Sequence, residues 1–365
     1  MERADPACEP PRALCRLHLR SNLDDRKLLM GRLNLQFATE TLQLAEPFRI
    51  SGYVFETVDV VVVTLDDGEH QGRGEASGVY YLGDDIPHVV AALEAARGAI
   101  EAGPSREELR EIMRPGGARN AVDCALWEIE SARVGRPVWE LAGLPAPKPV
   151  LTTFTLGADS PEAMARKAKG YTQARSIKIK LTGDLELDID RVRAIRAARP
   201  DAWLGVDGNQ GFVRGQLDQL ILALRDEGVA LVEQPLARGR ESDLEGFNSL
   251  IPIAGDESLL SLADVAGAKG RFDVVNIKLD KCGGLTEGLL MAAEARRLGL
   301  GVMVGTMVGT SLATAPAFLL GQICDLVDLD GPTFLTADRQ PGARYENGEL
   351  WVGPEVWGAA GVLAQ

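Results

Sequence analysis

The sequence predicts an α/β protein, a TIM-type (β/α)7β barrel preceded by a smaller α+β domain, and three observations carry that prediction. The length, 365 residues, accommodates a barrel plus an appendage. Eight short apolar segments end at Thr155, Lys180, Asp207, Glu233, Asp256, Lys278, Gly305 and Asp328, with spacings of 25, 27, 26, 23, 22, 27 and 23 residues. Helical segments fill the intervals, and strand–helix units repeating at one period are the mark of a parallel barrel. Ahead of them, from Arg32 to Ala76, the pattern is that of an antiparallel meander. A doubly wound sheet ranks second, because no GxGxxG follows its first strand.

Taken in order, residues 1–29 carry Pro6, Pro10 and Pro11, scattered arginines and no sustained apolar run. They are expected to be a disordered extension, or to precede a true start at Met30. Glu2, Asp5, Glu9, Asp24 and Asp25 make them too acidic for a transit peptide. Residues 30–148 form the α+β domain. Val58–Leu65 is a β-branched strand closed by an Asp-Asp-Gly turn. Helices follow over Ile86–Ala102 and Ser105–Met113, separated by Gly103 and Pro104, with Ser105 as N-cap and Glu107 and Glu108 in the first turn. Ala118–Val134 repeats apolar residues at helical spacing, a PVWELAG helix comes next, and LPAPKP at Leu144–Pro149 marks a boundary. The barrel is expected over 149–335, its last helices weak and its closure irregular. Residues 336–365 should pack back on the first domain.

Composition narrows the chemistry. A net charge of −14 argues against nucleic-acid and anionic-membrane partners, which call for basic patches. Leu298–Cys324 is uncharged for 27 residues, but its glycines and Pro316 break it into a strand, a loop and a packed helix, so no membrane span is expected. Five cysteines without a CxxC suit a reducing cytoplasm. The histidines are His18, His70 and His88, all ahead of the barrel. A histidine zinc site or a Ser-His-Asp triad in the barrel is thereby excluded, and catalysis falls to carboxylates and lysines.

Five consecutive strand ends are charged: Lys180, Asp207, Glu233, Asp256 and Lys278. In a barrel they meet at one mouth. Three carboxylates on adjacent strands repel unless a cation sits among them, and an all-oxygen set suits a hard divalent ion, one Mg²⁺ per subunit. Asn209, two residues beyond Asp207, is placed to support that site from behind. The lysines flank the carboxylate row on both sides, and Lys178 beside Lys180 should lower its pKa toward a useful base. One lysine would remove a proton next to a carboxylate and the other would return one, the metal taking up enolate charge. A Schiff-base aldolase and an inert metal-stabilised scaffold are the alternatives from other classes. GRGEA at Gly72–Ala76 reads as structural, and Cys282, with no barrel histidine to activate it, as a bystander thiol. Gly283 and Gly284 lack the GKS of a phosphate cradle.

The segments SIKIK, GVDGNQG, VEQPL, AGDES and NIKLDKCGG resemble, in order, the motifs of the enolase superfamily's muconate-lactonizing subgroup, over Met30 to about Val362. The resemblance implies that the N-terminal domain is a capping domain. It further implies that Lys180 and Lys278 are the acid/base pair, that Asp207, Glu233 and Asp256 ligate Mg²⁺, and that Lys178 assists at the substrate carboxylate. Asp328 and Asp330 look like the Asp-x-Asp signature of dipeptide epimerases, where the pair binds the substrate's α-ammonium. Thr155 is expected to join the substrate-binding residues. In the Ala-Glu epimerases similar to this chain, a cap loop carries an arginine that meets the glutamate side chain; counting places Tyr53 there. The frequent Met-x-Glu after strand seven stands here as Met307, Val308, Gly309.

The expected activity is therefore that of a Mg²⁺-dependent dipeptide epimerase, inverting the α-carbon of the C-terminal residue through an enediolate, on a substrate other than Ala-Glu. An N-acylamino acid racemase or cycloisomerase is the alternative within the superfamily. The expected partner is a small dipeptide, in a chain compatible with a homo-oligomer.

Overall fold

Alternating apolar residues make the first sheet. A computed structural model describes residues 31–50 and 52–359, so the expected N-terminal extension lies outside the described residues. β1 (Asn34–Ile50) pairs antiparallel with β2 (Tyr53–Asp66), and β2 with β3 (Gln71–Ala76). The β1–β2 register shifts between Gln43 and Phe48, then resumes with Phe48 opposite Phe55. β2 thus begins five residues before the apolar run at Val58, because that aromatic pairing carries the ladder past it.

Helices α1 (Ile86–Glu101), α2 (Arg106–Ile112) and α3 (Gly117–Val134) cover this sheet. Ser105 starts α2 through a reciprocal capping box with Glu108. α3 lies directly on β3. A Cβ added at Gly72 or Gly74 would run into the α3 carbonyls of Ala125 or Ala121, so these glycines set the closeness of the packing. Leu65, Val63, Leu93, Ile100 and Ile129 fill the space between. The PVWELAG segment is a single short turn, α4 (Val138–Leu141).

After the short strand β4 (Val150–Leu151), which pairs antiparallel with Glu349–Trp351, comes a second sheet of eight parallel strands, each beside the next in chain order. They are β5 (Thr153–Leu156), β6 (Ser176–Lys180), β7 (Trp203–Asp207), β8 (Val229–Glu233), β9 (Ile253–Gly255), β10 (Val274–Lys278), β11 (Gly301–Gly305) and β12 (Leu326–Asp328). Six of the eight ends fall where the sequence placed them; β5 runs one residue further and β9 stops one short of Asp256. Between β8 and β9 stands a 3₁₀ turn, Glu241–Leu244, in place of a helix. Leu298–Cys324 resolves into β11, a loop and the helix Ser311–Gly321 around Pro316. Among the described residues no helix is long and apolar enough to cross a membrane.

Side chains fasten the seam between β12 and β5. Leu329 N donates to Thr152 Oγ1 at 3.0 Å, the Thr153 hydroxyl donates to Asp328, and Thr155 N donates to Asp330 Oδ2 at 2.5 Å. Inside the barrel Leu231, Ala254, Val274 and Met303, with Trp203 and Leu326, form an apolar floor below the charged strand ends.

The first domain is bolted onto the barrel by polar contacts. Trp127 Nε1 donates to Thr286 Oγ1 at 3.0 Å, and Asp123 accepts from Thr286 N at 3.0 Å. Arg119 donates to the carbonyls of Cys282 and Gly283. Glu75, from the GRGEA segment, is buried and accepts from Thr310 and Arg339. Trp357 Nε1 donates to Arg73 O at 2.9 Å, which brings the far end of the chain back to β3. Gly283 and Gly284 take φ of 82° and 115°, with Arg119 and Asp123 where their Cβ atoms would be; the cap fills that turn, not a phosphate. Gly284→Ala should therefore lower stability by about 2–3 kcal/mol, read as a fall in the thermal unfolding midpoint, since it adds both strain and overlap.

Candidate active site

Strand periodicity makes the first step. Lys178 and Lys180 stand two apart on β6 and leave the strand on the same face. Ladder register then sets their neighbours. Lys180 is level with Asp207, and Asp207 with Glu233. Across the barrel Lys278 is level with Gly305, and Gly305 with Asp328. A Cβ on Gly305 would sit 3.2 Å from Lys278 Cε, so glycine there leaves the lysine its path. Asp256 follows the last residue of β9. Every one of these charged groups is buried.

Burial without water forces them into contact. Lys180 Nζ lies 2.6 Å from Asp207 Oδ2. Lys178 Nζ stands among three carboxylates, 2.7 Å from Glu233, 2.8 Å from Asp328 and 3.3 Å from Asp207. Lys278 Nζ is 2.6 Å from Asp256 Oδ2. Lys281, 2% exposed, holds Asp256 from the other side at 2.5 Å and also donates to the carbonyl of Asn276. Asn276 Nδ2 donates to Glu233 Oε1 at 2.8 Å, and Asn209 N to Asp207 Oδ1 at 2.9 Å. Asn209 takes the left-handed region with φ of 42°, and its own Oδ1 is buried without a hydrogen-bond partner.

The electrostatics follow from this packing. Burial works to raise Asp207, but Lys180 and Lys178 overcome it and hold its carboxyl low, at about 2. Glu233 goes the other way, pushed up to about 7 by burial and by Asp207. Burial alone would lower Lys178 and Lys278. The carboxylates of Asp328, Glu233 and Asp207 around Lys178, and Asp256 beside Lys278, raise both above the ordinary lysine value. The carboxylates thus outweigh any mutual lowering among these lysines. Among the described residues no three carboxylate, histidine or thiol groups form a ready metal cage; the acidic groups are drawn onto lysines. The donors still fit a hard divalent ion, being all-oxygen and gathered at the ends of three adjacent strands.

Above the charged floor lies a cavity of about 350 Å³ between the two domains. Lys178, Lys180, Asn209, Asp256, Lys278, Thr155, Asp328 and Asp330 all line it. Asp330 is pushed up to about 7 by burial and by Asp328. The cap contributes Phe48, Phe55, Tyr80 and Tyr81, and the loop after β11 contributes Met307 and Val308. Tyr53 is not in this wall. Its ring stacks on Phe55 at 6.0 Å and meets Tyr80 edge-on at 4.7 Å, so it backs the two aromatics that do face the cavity. Glu257 and Lys281 complete the site without having been read from the sequence. Each is next to, or one helical turn beyond, a residue that was.

A family described as enolase C-terminal domain-like matches residues 162–353, and the mandelate racemase / muconate lactonizing enzyme N-terminal domain matches residues 33–143. The chain belongs to the enolase superfamily. Within the superfamily, the L-Ala-D/L-Glu epimerase of Escherichia coli (strain K12) is 39% identical over 311 residues, 85% of this chain and 97% of that enzyme. A crystal structure from Agrobacterium tumefaciens, an enolase family member with homology to dipeptide epimerases and with bound sodium and L-Ala-L-Glu, superposes with a TM-score of 0.86. It is 41% identical and covers 89% of this chain and 100% of its own. The dipeptide epimerase of Methylococcus capsulatus, complexed with Mg and L-Arg-D-Lys, gives a TM-score of 0.83 at 30% identity, covering 88% and 97%.

Lys281 is the fixed partner of Asp256 within the cluster. Lys281→Met keeps the stem volume and removes the ammonium from a fully buried pair. It should cost about 3 kcal/mol, seen as a lower urea midpoint with an unchanged slope.

Proposed function

We propose that this isomerase is a Mg²⁺-dependent dipeptide epimerase that inverts the α-carbon of the C-terminal residue by a two-lysine 1,1-proton transfer. The observation that carries the reading is the placement of Lys180 and Lys278 on β6 and β10, on opposite sides of the carboxylate row of β7–β9. A substrate held over that row presents one face of its α-carbon to each lysine.

Asp207, Glu233 and Asp256 would hold the Mg²⁺. Bound there, the ion supplies the positive charge that acidifies the α-proton and stabilises the enediolate oxygens. Lys178, released from its carboxylates, orients the substrate carboxylate. Lys180 removes the proton from one face and Lys278 delivers one to the other, with the roles exchanged for the opposite isomer. The carboxylates that hold Lys278 in its charged form are the proposed ligands, so committing them to a cation lowers that lysine toward a working base. Asp328, held in its charged form by Lys178, and Asp330, whose raised carboxyl an approaching cation would lower, face the cavity across from the metal row and suit the α-ammonium of a short zwitterion, with Thr155 beside them.

The side chain selected differs from glutamate in this reading. The cations lining the cavity among the described residues are Lys178, Lys180 and Lys278, each engaged with a carboxylate, and no arginine lines it. Phe55, Tyr80 and Val308 give the walls an apolar and aromatic character in which a second carboxylate has no partner.

The test is α-proton exchange in D₂O with Mg²⁺ and pooled L,L-dipeptides, each mass followed in time. A gain of one mass unit confined to dipeptides is the expected result. Lys180→Ala and Lys278→Ala should each cut epimerisation by at least about a hundredfold while leaving the fold and Mg²⁺ affinity intact. Retention of near-normal turnover by either variant would falsify the two-base mechanism. Asp207→Asn should weaken Mg²⁺ binding by more than about tenfold in calorimetry. Exchange of N-acylamino acids that survives the double change Asp328→Asn and Asp330→Asn would instead favour the N-acylamino acid racemase reading.

A further inference from the structure

Besides Asn209 Oδ1, two buried polar atoms of cavity-lining residues have no hydrogen-bond partner: the hydroxyl of Tyr81 and Oε2 of Glu257. They come from different domains. Tyr81 lies in the cap segment between β3 and α1, while Glu257 follows Asp256 at the end of β9. Glu257 is 3% exposed, so water does not satisfy it from outside. A buried hydroxyl and a buried carboxyl oxygen left empty cost about 1–3 kcal/mol each, and the protein supplies nothing to either. Tyr81 feels Glu257, since burial together with Asp256 and Glu257 pushes its hydroxyl far above its ordinary range.

We infer that Tyr81 and Glu257 together form the recognition site for the side chain of the substrate's C-terminal residue, and that they select a carboxamide. The inference rests on the dipeptide reading above. If the α-ammonium sits at Asp328 and Asp330, on the β12 side of the mouth, the C-terminal residue extends across it toward β9, where Glu257 stands. A carboxamide satisfies both orphans at once: its N–H donates to Glu257 and its carbonyl accepts from the Tyr81 hydroxyl. An aliphatic side chain leaves both unmet, and an acidic one has no N–H to donate to Glu257. An ammonium answers Glu257 but offers the Tyr81 hydroxyl no acceptor. Sites built to hydrogen-bond a substrate group discriminate strongly against analogues that lack it.

The experiment compares L-Ala-L-Gln with L-Ala-L-Leu, L-Ala-L-Glu and L-Ala-L-Lys by kcat/KM for α-deuterium uptake in the Mg²⁺-loaded protein. The expected result is a preference for the glutamine dipeptide of at least about tenfold over each of the others. Tyr81→Phe should bring the Gln:Leu ratio down by about tenfold. Glu257→Gln should lower the same ratio, with Mg²⁺ affinity measured by calorimetry to separate pocket from metal effects. A ratio near unity, a preference for the acidic or cationic dipeptide, or a ratio unmoved by Tyr81→Phe overturns the inference and leaves the epimerase reading standing. Exchange with no dipeptide at all removes both.

Discussion

Everything at the barrel mouth answers to one constraint: three carboxylates on neighbouring strands cannot be buried together unless cations neutralise them. Lys178, Lys180, Lys278 and Lys281 do so, each within 2.8 Å of at least one carboxylate. Most other local features serve that arrangement. Gly305 clears the way for Lys278, Asn276 fixes Glu233, and the apolar floor below keeps water from reaching the cluster from the other end. Such a cluster is expensive as a means of stabilising a fold, since desolvating charges consumes most of what pairing returns. Its presence is better understood as chemistry retained at a price in stability.

The cap completes the site by supplying what the barrel cannot. Barrel strand ends offer charge and hydrogen bonds, while Phe48, Phe55, Tyr80 and Tyr81 offer apolar surface. The division is physical as well as spatial: one domain supplies the charged floor and the other an aromatic wall. The polar bolts at Trp127–Thr286, Asp123–Thr286 and Glu75–Thr310 hold the two in register.

Much of this was legible in the amino-acid order because the barrel repeats. A strand of five residues every 25 or so left little freedom in where Lys180, Asp207, Glu233 and Lys278 would fall, and the structure sets the first three level on the ladder. Lys281 was hidden because one helical turn separates it from Lys278, and a lysine in a short helix reads as solvated until its burial is seen. Glu257 was hidden by adjacency, since alternation along a strand predicts that neighbours diverge, and that rule lapses once β9 has ended. Tyr53 is the opposite case. Counting along the chain put it at the cavity wall, whereas its ring stacks on Phe55 and Tyr80, which line that wall. Aromatic packing across a loop has no periodicity from which to read it.

The seam between the last and first barrel strands deserves one more thought. Asp328 and Asp330 are joined to Thr153 and Thr155 across it, and they also line the cavity. The same two carboxylates act as clasp and as wall. A lineage that altered them to accept a different ligand would loosen the ring at its one unladdered joint, so heritable change in what the pocket admits has a safer route through the cap aromatics, whose replacement leaves the hoop closed.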